Sequence, residues 1–332
     1  MIQGALSSMM TNKRILVAGA SGLAGLSVLK AIHDKMPDTP VTATYNSTPP
    51  SLQFPLVSWV KADLTTRDGC KKAAMGCSGA IMVAANGGGV AAAMVNPGRQ
   101  VTDNLAMDAL MLESMHDAGV MRVIYVSSAT VYQDMEGTIE EDMLDLNQNP
   151  HPTYAGVAWA KRAAEKLCWF WNAQYGMEVL IARSSNIYGP FAKFDPATSN
   201  FVPAIIRKAI DRMDPFELWG SPDVTRDVVY SEDFGSAVLA LYNAREIKHD
   251  VFNLGYGQSV TVGSVADAVL SAVDFKPSRV IYKKSDHATI KTRILDCSKI
   301  NEVIGWKPEF TPLEGIRKTV EWWRENQFIW KK

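Results

Sequence analysis

With 332 residues the chain is long enough to bury a large core, in one large or two interlocked domains. A formal net charge of −1 with 21% charged residues offers no basic field for nucleic acid, so an anionic ligand has to be met by local basic residues. Four cysteines without paired metal spacing, and histidines that do not cluster with them, argue against a metal centre and for a reducing, cytoplasmic setting; no apolar run is long enough to span a membrane.

Residues 1–12 lack the basic start and apolar stretch of a signal peptide and read as a disordered tail. Next comes Arg14-Ile-Leu-Val-Ala-Gly-Ala-Ser-Gly-Leu-Ala-Gly25. Ile15 to Ala18 suits a buried parallel strand, and Leu23, Leu26, Leu29 and Ile32 recur at helical spacing, so the glycines lie at a strand-to-helix turn. Gly19 permits the tight turn, Gly22 lets backbone approach a pyrophosphate, and Gly25 lets helix pack on sheet. The helix N-terminus adds unpaired N–H groups and the positive end of its dipole. With these flanks the triplet predicts a dinucleotide site that also includes Ser21 and Leu23.

Val41 to Tyr45 reads as the second strand and Val57 to Asp63 as the third, with a proline-rich loop between. The second strand ends in Thr44-Tyr-Asn-Ser-Thr48, with Asn46 where a carboxylate would hold the ribose hydroxyls of NAD. No arginine marks a 2′-phosphate site either, and the missing carboxylate tilts the expectation from NAD toward NADP. Asp63 and Leu64 read as adenine contacts, although Asp63 also suits the N-cap of a helix beginning near Thr65. Gly79 to Ala85 forms a fourth strand, bringing Ala84 and Ala85 to the cofactor before Asn86-Gly-Gly-Gly89.

A helix from about Gln100 to Ala118 leads to strand five, Arg122 to Ser128. Another from about Thr153 to Tyr175 carries Trp169-Phe-Trp171, most of which should pack on the sheet, and precedes strand six, Glu178 to Arg183. Beyond Asn186 the pattern loosens, Val251 to Gly255 returns to the sheet, and Leu313 to Gln327 forms a final helix. This alternation predicts an α/β fold: a Rossmann-like doubly wound parallel sheet with a smaller, discontinuous C-terminal α/β substrate domain. The dinucleotide-binding part would comprise 13–185 plus about 226–256, and the substrate part about 186–225 plus 257–330.

Several stretches resemble the extended short-chain dehydrogenase/reductase family, the NAD-dependent epimerases and dehydratases of nucleotide sugars. They are Val126-Ser-Ser-Ala-Thr-Val-Tyr132, Trp159-Ala-Lys-Arg-Ala-Ala-Glu165, Ser185-Asn-Ile-Tyr-Gly-Pro190 and Thr225-Arg-Asp-Val-Val-Tyr-Ser-Glu-Asp233. Within that family the chain looks most like the GDP-L-fucose synthase-like epimerase/reductases, on Ala84 to Gly89, Lys166-Leu-Cys168, Tyr175-Gly176 and the block 186–206. The resemblance implies a nucleotide-diphosphate sugar as substrate and a homodimer that packs the helices near 100–118 and 153–175 into a four-helix bundle. It implies that Ser128 hydrogen-bonds the reacting oxygen, Thr130 faces the substrate, Lys161 binds the nicotinamide ribose, Asn104 braces the site and Ile187 lies against the nicotinamide. On the substrate side it implies contacts from Asn186, Arg226 and Arg293, and from Asn200 and Phe201. Trp219 could stack on the base or sit in the core.

The chain departs from the family pattern where the chemistry is concentrated. Counting back four from Lys161 gives Val157 instead of the expected tyrosine, and valine has no titratable proton. Three explanations stay open. Tyr154, one helical turn earlier and on roughly the same face, takes over; another group such as Thr130 with water or His151 moves the proton; or the valine silences the chain. Asn200 stands where fucose synthases carry a histidine, and an amide cannot deliver a proton. The catalytic candidates are therefore Ser128, Thr130, Lys161, Tyr154 and the altered position Val157. The expected activity is that of an NAD(P)-dependent epimerase or epimerase/reductase on a nucleotide-activated 4-keto-6-deoxy sugar. The alternatives are a C4 epimerase with retained NAD and a non-catalytic NAD(P)- or nucleotide-sugar-binding protein.

Overall fold

The structure, a computed structural model, describes residues 14–87, 97–196, 198–283 and 290–330; the expected tail and Gly88-Gly89 lie outside the described residues. Seven parallel strands form one sheet: β1 (Ile15–Ala18), β2 (Val41–Tyr45), β3 (Val57–Lys61), β4 (Gly79–Met82), β5 (Arg122–Ser128), β6 (Glu178–Ser184) and β7 (His249–Leu254). Their spatial order is β3-β2-β1-β4-β5-β6-β7. The chain therefore builds outward from β1 in one direction and, beginning with β4, in the other. In such a sheet ligands settle beyond the carboxyl ends of the strands at the reversal, here between β1 and β4.

Both faces are covered, as the nearly continuous apolar strands require. On one face α1 (Leu23–Lys35) packs against α5 (Ser231–Asn243), joining Leu26, Leu29 and Ile32 to Phe234, Val238 and Phe252. On the other lie α2 (Arg67–Ala74), α3 (Pro97–Asp117) and α4 (Ala155–Tyr175), with Met111, Met115, Ala164 and Cys168 against Val123 and Ile181.

Residues after the sheet's sixth strand form a second core around Ile206, Phe216, Val265, Val269 and Trp323. It is built on helices Phe201–Ile210, Val262–Val273 and Pro312–Trp330 and on the parallel pair Phe216–Trp219 with Val280–Lys283. Two short ladders tie these segments to the sheet's carboxyl end: Asn186–Tyr188 pairs with Val228–Tyr230, and Gly137–Ile139 with Arg293–Leu295. Among the described residues no helix is long and apolar enough to cross a membrane.

Two local expectations are corrected. The fourth strand stops at Met82, short of Ala85, because the chain then passes over the glycine turn. A Cβ placed on Gly19 would lie 2.5 Å from the Ala84 Cα, so these backbones touch. Most of the aromatic run on α4 does not pack on the sheet: Trp169 is 55% and Phe170 42% exposed, and Trp171 alone of the three packs against the core on that face. The buried side of that helix is carried by Ala158, Lys161, Ala164, Glu165 and Cys168, and successive residues rotate about 100° away from it. Trp171 lies at the edge of this core, tilted against His116 and Tyr175 with its ring centroid 5.1 and 4.7 Å from theirs.

Candidate active site

The glycine turn sits at the carboxyl end of β1. Gly19 has φ +86°, a left-handed conformation that side chains resist, and its N–H donates to Thr44 Oγ1 at 2.8 Å. The N–H of Ala20 donates to the Thr44 carbonyl at 2.9 Å, so β2 holds the turn from below. Thr44 was legible only as strand; its anchoring hydroxyl depends on the pairing of β1 with β2. Gly25 is pressed on the sheet: an added Cβ would lie 2.4 Å from both the Ala20 Cα and the Gly19 carbonyl oxygen.

Gly22 behaves differently. It is the N-cap of α1 with φ −91°, no side chain caps the helix, and an added Cβ would meet only the Gly19 carbonyl oxygen, at 3.9 Å. Beside Ser21 and Leu23, the first N–H groups of α1 thus open onto free space at the positive end of the helix dipole. That open cradle fits the pyrophosphate of a dinucleotide.

Around this turn, Asn46 is exposed just past β2 and Leu64 is buried. Asp63 is exposed; its Oδ1 accepts from the N–H of Thr65 at 3.0 Å and the Thr65 hydroxyl at 2.7 Å, which holds its carboxyl below the usual range. It does not cap the following helix. Thr66 does, its Oγ1 accepting from the N–H of Gly69 at 3.2 Å, because α2 starts two residues later than expected. Beyond β4, Ala84 is half-buried and Ala85 is exposed. Asn104 is 2% exposed and clamps that crossing: Oδ1 accepts from the N–H of Asn86 at 2.8 Å, and Nδ2 donates to the Asn86 and Gln100 carbonyls at 3.0 and 2.9 Å.

A cleft of about 630 Å³, counting its open mouth, lies at the carboxyl ends of β5 and β6. It gathers Ser128, Thr130, Tyr154, Asn186, Arg226 and Arg293 from five separate stretches of chain. Ser128 ends β5, and its Oγ accepts from the N–H of Thr130 at 3.2 Å and the Thr130 hydroxyl at 3.1 Å. It caps the turn and still has its own proton to give toward the cleft. Asn186 Nδ2 donates to the Asp227 carbonyl at 3.1 Å.

Arg226 Nη1 donates to the Thr225 and Ile290 carbonyls at 2.7 and 2.9 Å. Arg293 donates to the carbonyls of Ala129 at 3.2 Å and Gln133 at 2.7 Å, and its buried Nε has no protein partner. Neither is tied to the carboxylate that follows it in sequence. Burial lowers the Arg226 guanidinium and brings Arg293 down to about 10; in both the neighbouring Tyr154 hydroxyl acts in the opposite sense. Asp227, beneath them, is pushed up to about 6 by burial although the N–H groups of Leu295 and Tyr256 donate to it.

Tyr154 closes a short 3-10 turn, Pro152–Tyr154, and is the N-cap of α4, a position from which its side chain enters the cleft. Val157, one turn on, is half-buried and does not line it. His151 is 8% exposed, its ring centroid 5.7 Å from that of Tyr154. Lys161 is 7% exposed, with Nζ donating to the Tyr125 hydroxyl at 2.8 Å and the Val126 carbonyl at 3.1 Å. Ile187 lies half-buried in the strand beside Asn186. Asn200, Phe201 and Trp219 stand apart from the cleft: Asn200 begins a helix, Phe201 packs on the second core, and Trp219 is 65% exposed at a strand end.

Sequence reasoning missed what supports these groups. Glu165 on α4 forms a buried ion pair with Arg183 of β6 at 2.8 Å and accepts from Ser127, next to Ser128, at 2.6 Å. Only the glutamate's place beyond Lys161 in a quoted motif could have flagged it.

Residues 15–255 match the family model described as the NAD dependent epimerase/dehydratase family. The chain is 30% identical over 321 residues to a GDP-L-fucose synthase of Sinorhizobium fredii, covering 94% of this chain and 96% of that protein. Its fold is that of the UDP-glucose 4-epimerase of Thermotoga maritima, solved with UDP-glucose, at a TM-score of 0.83 and 22% identity over 95% of this chain and 99% of the other. It also matches an epimerase of Methanothermobacter thermautotrophicus at a TM-score of 0.86 and 21% identity, over 96% and 94% of the two chains.

Proposed function

The chain belongs to the NAD-dependent epimerase/dehydratase family, and within it we propose an NAD(P)-dependent epimerase or epimerase/reductase acting on a nucleotide-activated sugar, with a 4-keto-6-deoxy sugar as substrate. The observation that carries the reading is the cleft: Ser128, Thr130 and Tyr154 face the same space as Arg226 and Arg293. Guanidinium groups pair with diphosphate through parallel N–H donors, while hydroxyls suit a sugar oxygen that gains or loses a proton.

The residues divide the work. The turn at Gly19, Gly22 and Gly25, with the N-terminus of α1, receives the pyrophosphate of NAD(P). When bound, that cofactor supplies a carbon that takes up or returns hydride. Lys161 holds its ribose, Ile187 flanks its nicotinamide, and Asp63 and Leu64 meet the adenine. Asn46, in place of an acidic residue after β2, favours NADP over NAD. Ser128 hydrogen-bonds the reacting oxygen, Thr130 supports it, and Tyr154 takes the proton-transfer role that Val157 cannot. Asn186, Arg226 and Arg293 hold the diphosphate sugar. In this reading the dinucleotide part draws on 13–185 and about 226–256, the substrate part on about 186–225 and 257–330.

The exposed aromatic strip of α4 supports a homodimer in which α3 and α4 pack on their symmetry mates. Four unpaired thiols suit a cytoplasmic setting.

Deuterium uptake from D₂O tests the reading, with nucleotide sugars and their 4-keto derivatives as a panel, NADPH present, and mass spectrometry as readout. Uptake at carbons beside the ketone that vanishes in Tyr154→Phe is the expected result. Val157 gives specific ground for the rival, a protein that binds nucleotide sugar without turning it over. No uptake in the wild-type chain, restored by Val157→Tyr, would establish that rival.

A further inference from the structure

We propose that Asp108 and Tyr125 form, with Lys161, a buried triad that holds and aims the lysine amine, making Asp108 a positioning residue of the cofactor site. The proposal rests on the reading of Lys161 as the ribose anchor.

The three side chains come from α3, β5 and α4 and meet behind the cleft. Asp108 and Tyr125 are each 1% exposed. The Tyr125 hydroxyl lies 2.7 Å from Asp108 Oδ2, and Lys161 Nζ lies 2.8 Å from that hydroxyl and 3.8 Å from Oδ2. Nζ also lies 4.5 Å from the Tyr125 ring centroid, over a face that attracts cations.

Donor counting fixes the order. A carboxylate only accepts, so Tyr125 gives its single proton to Asp108 and turns a lone pair to Lys161. Lys161 must then be the donor, and it spends a second proton on the Val126 carbonyl. One N–H remains, its direction set by the other two. An uncharged residue at 108 would leave the hydroxyl free to turn round and would remove the charge opposite the ammonium.

A buried carboxylate is costly unless it is paired, and among the described residues the cation paired with Asp108 is Lys161. Glu165, on the same face of α4, is taken by Arg183. Cys168 faces the triad as well, and burial drives its thiol upward, so it stays neutral. Burial pushes the Asp108 carboxyl up while Lys161 pulls it down. Val157 matters here too: with no phenol at that position, the lysine draws its hydrogen-bonding partners from inside the fold.

The test uses the full chain with ¹³C-labelled lysine, free of cofactor, following the Lys161 Cε resonance against pH; Lys161→Met assigns the signal. A counter-ion raises a lysine's proton affinity, so its removal must lower it. The expected result in Asp108→Asn is a midpoint lower by at least one unit, about a tenfold loss in proton affinity. Asp108→Thr is a second neutral variant, and thermal denaturation verifies the fold of each. A midpoint unmoved in both folded variants overturns the proposal.

NADPH and NADH affinities, read by fluorescence across the same pH range, test the underlying reading separately. Binding by Asp108→Asn should weaken at least tenfold above the lowered midpoint and match the wild type below it. A shifted midpoint that affinity does not follow refutes Lys161 as ribose anchor, and with it the place of Asp108 in the cofactor site.

Discussion

Substituting alanine at two glycines three residues apart separates packing from ligand binding. In Gly25→Ala the new Cβ would meet the Ala20 Cα and the Gly19 carbonyl at 2.4 Å, and the Ala20 carbonyl carbon at 2.7 Å. All three are backbone atoms, so no side chain can swing aside. Restoring an ordinary contact of 3.4 Å requires a shift of 1.0 Å (3.4 − 2.4) between α1 and the turn. Because α1 is fixed by buried Leu26, Val28, Leu29 and Ile32, the strain has nowhere to go. Overpacking of this kind costs about 1–3 kcal/mol, offset by up to ~1 kcal/mol from alanine's better helix propensity. In Gly22→Ala the nearest atom is 3.9 Å away and φ is −91°, which alanine adopts freely. Alanine is a poorer N-cap than glycine, so the variant's stability should fall by no more than about 1 kcal/mol. The added methyl nevertheless fills the space a phosphate oxygen needs, so affinity should fall at least tenfold, or ~1.4 kcal/mol. Urea denaturation reads the first effect and titration calorimetry with NADH and NADPH the second. Undiminished affinity of Gly22→Ala for both cofactors would refute a pyrophosphate on the N-terminus of α1, and a fully stable Gly25→Ala would refute the close packing.

Three further perturbations address other parts of the molecule. Glu165→Gln leaves Arg183 buried beside a neutral amide and should destabilise the fold by about 3–5 kcal/mol in chemical denaturation, with a loss below 1 kcal/mol contradicting the buried pair. Burial raises Asp227 and Asp233 from 3.8 to about 6. Between those values the folded chain holds protons that the unfolded chain has released, so their contribution to stability should decline as pH rises from about 4 to 6 and level off above. Two aspartate carboxyl ¹³C resonances titrating near 6, one lost in Asp227→Asn, would be the signature; titration of both near 4 would contradict it. Trp169→Arg and Phe170→Glu put charge on an exposed aromatic face and should shift sedimentation from dimer to monomer with the far-ultraviolet spectrum unchanged, whereas a wild type that already sediments as a monomer removes the basis for the interface.

Local pattern carried the fold a long way. The apolar run to Ala18, the glycines and the helical spacing from Leu23 describe β1, the turn and α1 almost to the residue, because each depends on neighbours in sequence. Where the answer depended on a distant partner, the pattern overran or stayed silent. Ala84 and Ala85 read as strand until the glycine turn lies beneath them. Trp169 and Phe170 read as core because the helix must bury one face, yet that face is the one carrying Ala158, Lys161, Ala164, Glu165 and Cys168. The Asp108, Tyr125 and Lys161 contact spans three elements, and only the lysine stood in a motif that the sequence exposed.

The missing tyrosine at 157 brings these threads together. Along a continuous helix, Tyr154 would simply be three residues upstream on a similar face. The fold instead ends a 3-10 turn there, started by Pro152 and held by the N–H of Tyr154 donating to the His151 carbonyl at 2.9 Å. The phenol therefore enters the cleft from a turn, and the cations that interact with it are Arg226 and Arg293. Lys161, which would have accompanied a tyrosine at 157, is left to Tyr125 and Asp108. The valine in the helix thus accompanies two separate constellations: a phenol near two guanidinium groups in the cleft, and behind it a lysine amine with its own tyrosine and carboxylate. If that division is functional, Val157→Tyr should bring a second phenol to Lys161 without displacing Tyr154. Its solvent-exchange rate would then survive Tyr154→Phe, where that of the natural chain would not.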